Sequence, residues 1–157
     1  MAKEHHYSVK LTWNGNTGSG TKDYRTYERS HVIKIKNKAD IHCSSDPAFR
    51  GDVTKHNPEE MLLASVSSCH MLWYLHLCST ASINVLAYSD EPTGVMIENK
   101  DGSGRFTEIS LNPSITLADA SMKAKADALH EKANKLCFIA NSLNFPVHHK
   151  AKYDVGT

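Results

Sequence analysis

The stretch Asn57-Pro58-Glu59-Glu60-Met61-Leu62-Leu63-Ala64-Ser65-Val66-Ser67-Ser68-Cys69-His70, continuing through Met71-Leu72-Trp73-Tyr74-Leu75-His76-Leu77-Cys78, decides the fold. Asn57 can cap a helix, Pro58 suits the first helical position, and Glu59 and Glu60 favour the positive end of the helix dipole. A helix therefore starts here. Between residues 61 and 78 apolar side chains point in every direction around the axis, which predicts a helix surrounded by protein. The run is near the length of a membrane span, but Ser65, Ser67, Ser68, His70 and His76 interrupt it, so it reads as a buried core helix. About twenty residues at roughly 1.5 Å each make it about 30 Å long, and that length in a small domain points to a second chain that helps cover it.

On the N-terminal side, residues 7–13 are rich in β-branched and aromatic side chains, and residues 14–20 form a loop of turn formers. A hairpin is expected, with further strands at 23–27 and 30–36; in the latter Ile33 and Ile35 alternate with Lys34 and Lys36. A turn at 37–40 leads to a short strand through Cys43. Residues 44–56 have no regular period and read as a long irregular connection, a kind of segment that often carries function.

On the C-terminal side, residues 81–91, 94–100 and 106–116 read as three strands of an antiparallel meander with turns at Glu91-Pro92-Thr93-Gly94 and Asp101-Gly102-Ser103-Gly104. Residues 118–136 read as a second, amphipathic helix burying Met122, Ala126, Leu129, Ala133 and Leu136, and Cys137 follows its end. Residues 145–155 supply a last strand. The expected class is α+β, with antiparallel sheets around two central helices.

A chain of 157 residues that is 40% hydrophobic fits one domain with its own core. With 18 Lys+Arg against 17 Asp+Glu the formal charge is +1, so no global field steers it to nucleic acid or an anionic membrane. The polar N-terminus lacks the pattern of a secretory signal, and a cytoplasmic location is expected. The four cysteines, at 43, 69, 78 and 137, match neither a zinc framework nor a disulfide-stapled scaffold.

Cys69 lies in the core helix and Cys137 follows a helix that can pack beside it, so one sulfur can attack and the other resolve. Peroxide reduction needs those two thiols and an external dithiol, without metal or cofactor. A thiolate in an apolar helix demands a nearby cation. Arg25 and Arg29 are the candidates, with Arg29 preferred, and Glu59 is available to orient a guanidinium. Glu59 and Cys69 are ten positions apart on one helix, or roughly 15 Å along its axis. If both serve one site, the carboxylate comes from the other subunit of a two-fold dimer, giving two composite sites.

The segments 57–60 and 64–69, together with His130-Glu131 and the run from Cys137 to Ser142, resemble the two cysteine motifs of the OsmC/Ohr family, and the likeness covers nearly the whole chain. The resemblance implies an intertwined homodimer. It also implies a peroxidatic Cys69 resolved by Cys137, assistance from an arginine and from Glu59, organic hydroperoxide substrates, and reduction by lipoylated proteins or other dithiols. The sequence departs from the best-studied members at Cys137-Phe138, where those have Cys-Pro.

Blander readings accompany these. Cys43 and Cys78 read as inert thiols, His70 as core or interface packing, His130 and Glu131 as an ordinary solvated helix face, and Glu59 and Glu60 as first-turn helix residues. Residues 71–75 read as packing, with an apolar collar favouring fatty or aromatic hydroperoxides. The alternative function is a small-ligand-binding or redox-sensing protein on the same scaffold. A Cys/His metal site ranks last, because His148 and His149, as strand neighbours, point to opposite faces.

Overall fold

A computed structural model describes residues 2–156. The chain divides into two compact units, Met1–Met61 and Leu62–Thr157.

The N-terminal unit is built on a three-stranded antiparallel sheet of β1 (Lys10–Trp13), β2 (His31–Lys34) and β3 (Ile41–Cys43), in that order. Residues 23–27 were expected as a strand, but β1 pairs directly with β2, Trp13 opposite His31, and the intervening chain loops out. The ladder continues only as an isolated antiparallel bridge between Asn16 and Tyr27, and side chains satisfy part of the remaining backbone. Asn16 Oδ1 accepts from the N–H groups of Gly18 and Gly20, each at 2.9 Å. The Trp13 indole donates to Glu28 O at 2.8 Å, and a Cβ on Gly15 would lie 1.9 Å from that same oxygen, so only glycine fits. Residues 44–56 are irregular, as expected, apart from a 3-10 turn at Pro47–Phe49 capped by Asp46.

Helix α1 runs Pro58–Thr80. Its start is a reciprocal capping box: Glu60 N–H donates to Asn57 Oδ1 at 2.8 Å, and Asn57 N–H reaches Glu60 Oε2 at 3.4 Å.

The C-terminal unit holds the rest of α1, two three-stranded sheets and α2. The expected meander is not formed. Strands β4 (Val85–Asp90), β7 (Pro113–Leu117) and β9 (Lys152–Val155) make one sheet in the order β4-β7-β9, and β5 (Thr93–Glu98), β6 (Gly104–Leu111) and β8 (Val147–His149) make the other in the order β5-β6-β8. The segment read as one strand, 106–116, is two. Pro113 has no N–H for a ladder, and Asp90 Oδ1 takes the Asn112 N–H at 2.7 Å, so the chain leaves one sheet and enters the other at Asn112-Pro113. The expected last strand is also two, and both pieces pair in parallel, β8 with β6 and β9 with β7.

The second helix begins with a 3-10 turn at Ala120–Met122, capped by Asp119, and continues as α2 (Lys123–Leu136). One core combines Tyr74, Leu77 and Cys78 of α1, Ile115 and Leu117 of β7, and Ala126 and Ala133 of α2; a second joins Val66 to Ile109 and Leu111 of β6. Within the chain α1 is buried along one stripe, Val66, His70, Tyr74, Leu77 and Cys78, whereas Leu72 is 63% exposed. The helix expected to be covered all round is thus covered on one side by its own chain. Among the described residues α1 is long and apolar enough to cross a membrane; its polar His70 and Tyr74 are packed against protein.

Candidate functional site

Cys69 sits at mid-length in α1 and is half-buried, whereas Cys137 caps α2 with no exposed surface. Both are free thiols, as are Cys43 and Cys78. The structure places the side chains of Cys69 and Cys137 beside one another, close enough for each thiol to influence the other. The backbone turns sharply at Cys137: its N–H donates to Asn134 O at 3.3 Å, and its Sγ accepts the Ala140 N–H at 3.4 Å. Burial and then the neighbouring Cys69 thiol push the Cys137 thiol up to about 11, against a smaller opposing effect of the Ala140 and Ile139 amides. The two thiols are therefore unequal. Cys137 is buried and holds its proton, and Cys69 is the more accessible sulfur. Phe138, where the sequence lacks proline, is 71% exposed and packs edge-on against Trp73 at 5.7 Å.

Behind this pair lies a histidine cluster. His70 Nε2 and His130 Nδ1 are 2.9 Å apart in a buried hydrogen bond, the rings are parallel within 2°, and His149 lies 5.7 Å from His70 and 5.5 Å from His130 between centroids. Tyr74 stacks on His130 at 4.0 Å, and its hydroxyl meets that of Tyr153 at 3.2 Å. Burial, and next the neighbouring His149, bring His70 down to about 4 against the opposing pull of Asp90; burial, then His70 and His149, bring His130 to about 3. Both are neutral at pH 7. The expectation of a solvated face at His130 is corrected: it occupies the buried stripe between Ala126 and Ala133, while Glu131 is exposed and paired with Lys135 at 2.6 Å. The periodicity that marks Ala126 and Ala133 as buried also marks position 130, and that signal was available in the sequence. Among the described residues no group of three or more His, Cys, Asp or Glu side chains is arranged to hold a metal ion.

Arg29 and Glu59 belong to the N-terminal unit. The Arg29 guanidinium carbon lies over both the Tyr24 and the Tyr27 ring, 4.3 and 4.2 Å from their centroids, and the group donates to Tyr27 O at 2.5 Å and Tyr24 O at 2.7 Å. Two aromatic residues three apart before an arginine are the sequence signal of this cage. No ion pair joins Arg29 to Glu59 among the described residues. Glu59 is half-buried, and its Oε2 is enclosed without a hydrogen-bond partner. Arg29, Leu11, Trp13, Tyr27 and His31 line an apolar pocket of about 350 Å³.

An α+β chain with two thiols in contact where two helices meet defines a small thiol-bearing scaffold. Comparison with known proteins makes this specific. The family model for OsmC-like protein matches residues 51–152. The chain is 27% identical to the uncharacterized protein YmaD of Bacillus subtilis (strain 168) over 143 residues, covering 89% of this chain and 87% of that protein. It superposes on an OsmC-like protein of unknown function from Vibrio cholerae with a TM-score of 0.85 at 26% identity, covering 95% of this chain and 100% of that one. An organic hydroperoxide resistance protein from Elizabethkingia anophelis shares the fold, with a TM-score of 0.68 at 17% identity over 98% of this chain and 100% of that one. The chain belongs to the OsmC-like family, whose OsmC/Ohr members are tied to redox and peroxide-related function.

Proposed function

We propose that the protein is a thiol peroxidase that reduces organic hydroperoxides. The observation that carries this reading is the contact between an accessible Cys69 and a buried, protonated Cys137. In the first step the Cys69 thiolate attacks the terminal peroxide oxygen. An S–O bond forms, the O–O bond breaks, and the alkoxide takes up a proton to leave as alcohol, with Cys69 now a sulfenic acid. In the second, Cys137 sulfur attacks Cys69 sulfur; its proton leaves with the hydroxyl as water, and a disulfide forms. An external dithiol, such as a lipoylated protein, then reduces the pair by exchange and is itself oxidised.

In this reading Arg29 holds the thiolate and polarises the peroxide, and Glu59 orients the guanidinium. The protein acts in the cytoplasm as an intertwined homodimer. The exposed side of α1 at Leu72 and the β1 strand, exposed at every position, support a second copy as their cover. The bare Oε2 of Glu59 fits a carboxylate that serves the other copy's site.

A second reading, a ligand-binding or redox-sensing protein with little turnover, draws on the same Arg29, because its guanidinium is already engaged by Tyr24 and Tyr27 carbonyls. One equivalent of cumene hydroperoxide, followed by thiol counting and mass spectrometry, separates the two. The peroxidase gives a Cys69–Cys137 disulfide in wild type, oxidised Cys69 in Cys137→Ser and no reaction in Cys69→Ser. Reaction no faster than that of free cysteine leaves the second reading.

A further inference from the structure

The N-terminal unit contains a cavity of about 520 Å³ lined by Arg25, Arg29, Arg50, Glu28, Asp52 and Ser30, among others. Its volume is that of a metabolite site. The Asp52 charge is matched by Lys55, whose Nζ lies 3.1 Å from its carboxylate and 2.8 Å from Ser30 Oγ. That leaves three guanidinium groups against the single carboxylate of Glu28, in a chain whose overall charge is only +1.

The three arginines differ in freedom. Arg29 is fixed by two carbonyls and two tyrosine faces, so its guanidinium is held in place and much of its donor fork is occupied. Arg25 and Arg50 make no ion pair among the described residues and are exposed. Arg50 occupies the left-handed region, at φ 64, a conformation uncommon for a residue other than glycine. It is held there by its N–H bond to Pro47 O at 3.0 Å and by the next residue, since a Cβ on Gly51 would fall 1.6 Å from Ser45 O. The local backbone is thus constrained at one of the arginines that line the cavity.

We propose that this cavity binds a small organic anion through a carboxylate or phosphate group, gripped by the Arg25 and Arg50 forks over the fixed charge of Arg29. Such planar forks match the paired oxygens of either group. The grip comes from Arg25 and Arg50, which the peroxidase reading does not use, and the cavity lies within the N-terminal unit.

The test is calorimetric titration of the full reduced chain with inorganic phosphate and, separately, with succinate. One equivalent of at least one probe should bind, and the preferred probe tells phosphate from carboxylate recognition. Affinity should fall about tenfold in Arg25→Gln and in Arg50→Gln, as expected for the loss of one charge-assisted fork, and should weaken with added salt. Arg105→Gln, in the other unit, should bind as wild type, and Arg25 and Arg50 take no part in the peroxidase reading, so failure of that reading leaves this result untouched. Both cavity arginines are exposed, and matching circular dichroism spectra establish that each variant is folded. Absence of binding by both probes, or binding unchanged in the folded Arg25→Gln and Arg50→Gln proteins, overturns the proposal.

Discussion

His70 and His130 share one proton across 2.9 Å, Nε2 to Nδ1, in a stacked pair with no exposed surface. One ring must donate and the other accept, so an added proton goes to a nitrogen outside this bond, Nδ1 of His70 or Nε2 of His130, and both are buried without a partner in a medium that disfavours charge. Burial is the main reason that both rings resist protonation, with His70 at about 4 and His130 at about 3.

This makes stability pH-dependent with a definite sign. The folded pKa values lie below the ordinary histidine value, so the unfolded chain takes up protons first. The stabilisation is complete above about pH 6.5 and is lost as pH falls towards the folded values, at roughly 2 kcal/mol per histidine by about pH 5. Urea unfolding at neutral pH and near pH 5 should show the midpoint falling. A midpoint that stays constant would show that the pair is not buried and neutral.

Thiol reactivity should follow the same logic of burial. At mildly alkaline pH the native protein should take up iodoacetamide first at Cys69, while Cys137, raised to about 11, and the buried Cys43 and Cys78, also raised by burial, stay protected until the chain unfolds. Peptide mass mapping after a short pulse gives the order directly. Early labelling of Cys137 would contradict it.

The capping box at the head of α1 should carry a measurable share of stability. Asn57→Ala leaves the Glu60 N–H without its 2.8 Å acceptor and should cost about 1 kcal/mol, read as a lower denaturant midpoint with unchanged slope. Asn57→Ser, which keeps a capping oxygen, should recover most of the loss.

Arg29→Lys should be far from conservative. A single ammonium cannot reproduce the planar fork that reaches both carbonyls while covering both rings, so the cage should weaken by about 1–2 kcal/mol. Hydrogen exchange should show faster loss of protection across residues 24–30, with residues 104–111 unaffected.

The sequence revealed the elements whose signals are local. The cap at Asn57, the proline at the first turn and the apolar run beyond it placed α1, and the pair was legible because Cys69 lies within that helix and Cys137 directly follows the second. What was not legible depends on distant partners. Nothing near residues 106–116 says that Asp90 takes the Asn112 amide and splits the strand, and nothing near Val147 says that its partner is Ile109 in parallel. Residues 23–27 carry good strand formers, yet Arg29 uses the Tyr24 and Tyr27 carbonyls for itself, and tertiary context overrides propensity there. His130 was misread because its polarity outweighed its position on the buried stripe.

The parallel pairings have a consequence for biogenesis. β6 and β7 are the central strands of their sheets, and each receives its second neighbour only from residues 147–155. While synthesis has not reached that segment, both sheets expose an open edge at once, and these edges can pair with another nascent chain. Closure depends on sequence-distant parallel pairing, a slow kind of step. Completion of the C-terminal unit is therefore set to follow emergence of its last strands from the ribosome, and a chain stopped before residue 147 is an aggregation hazard in both sheets together.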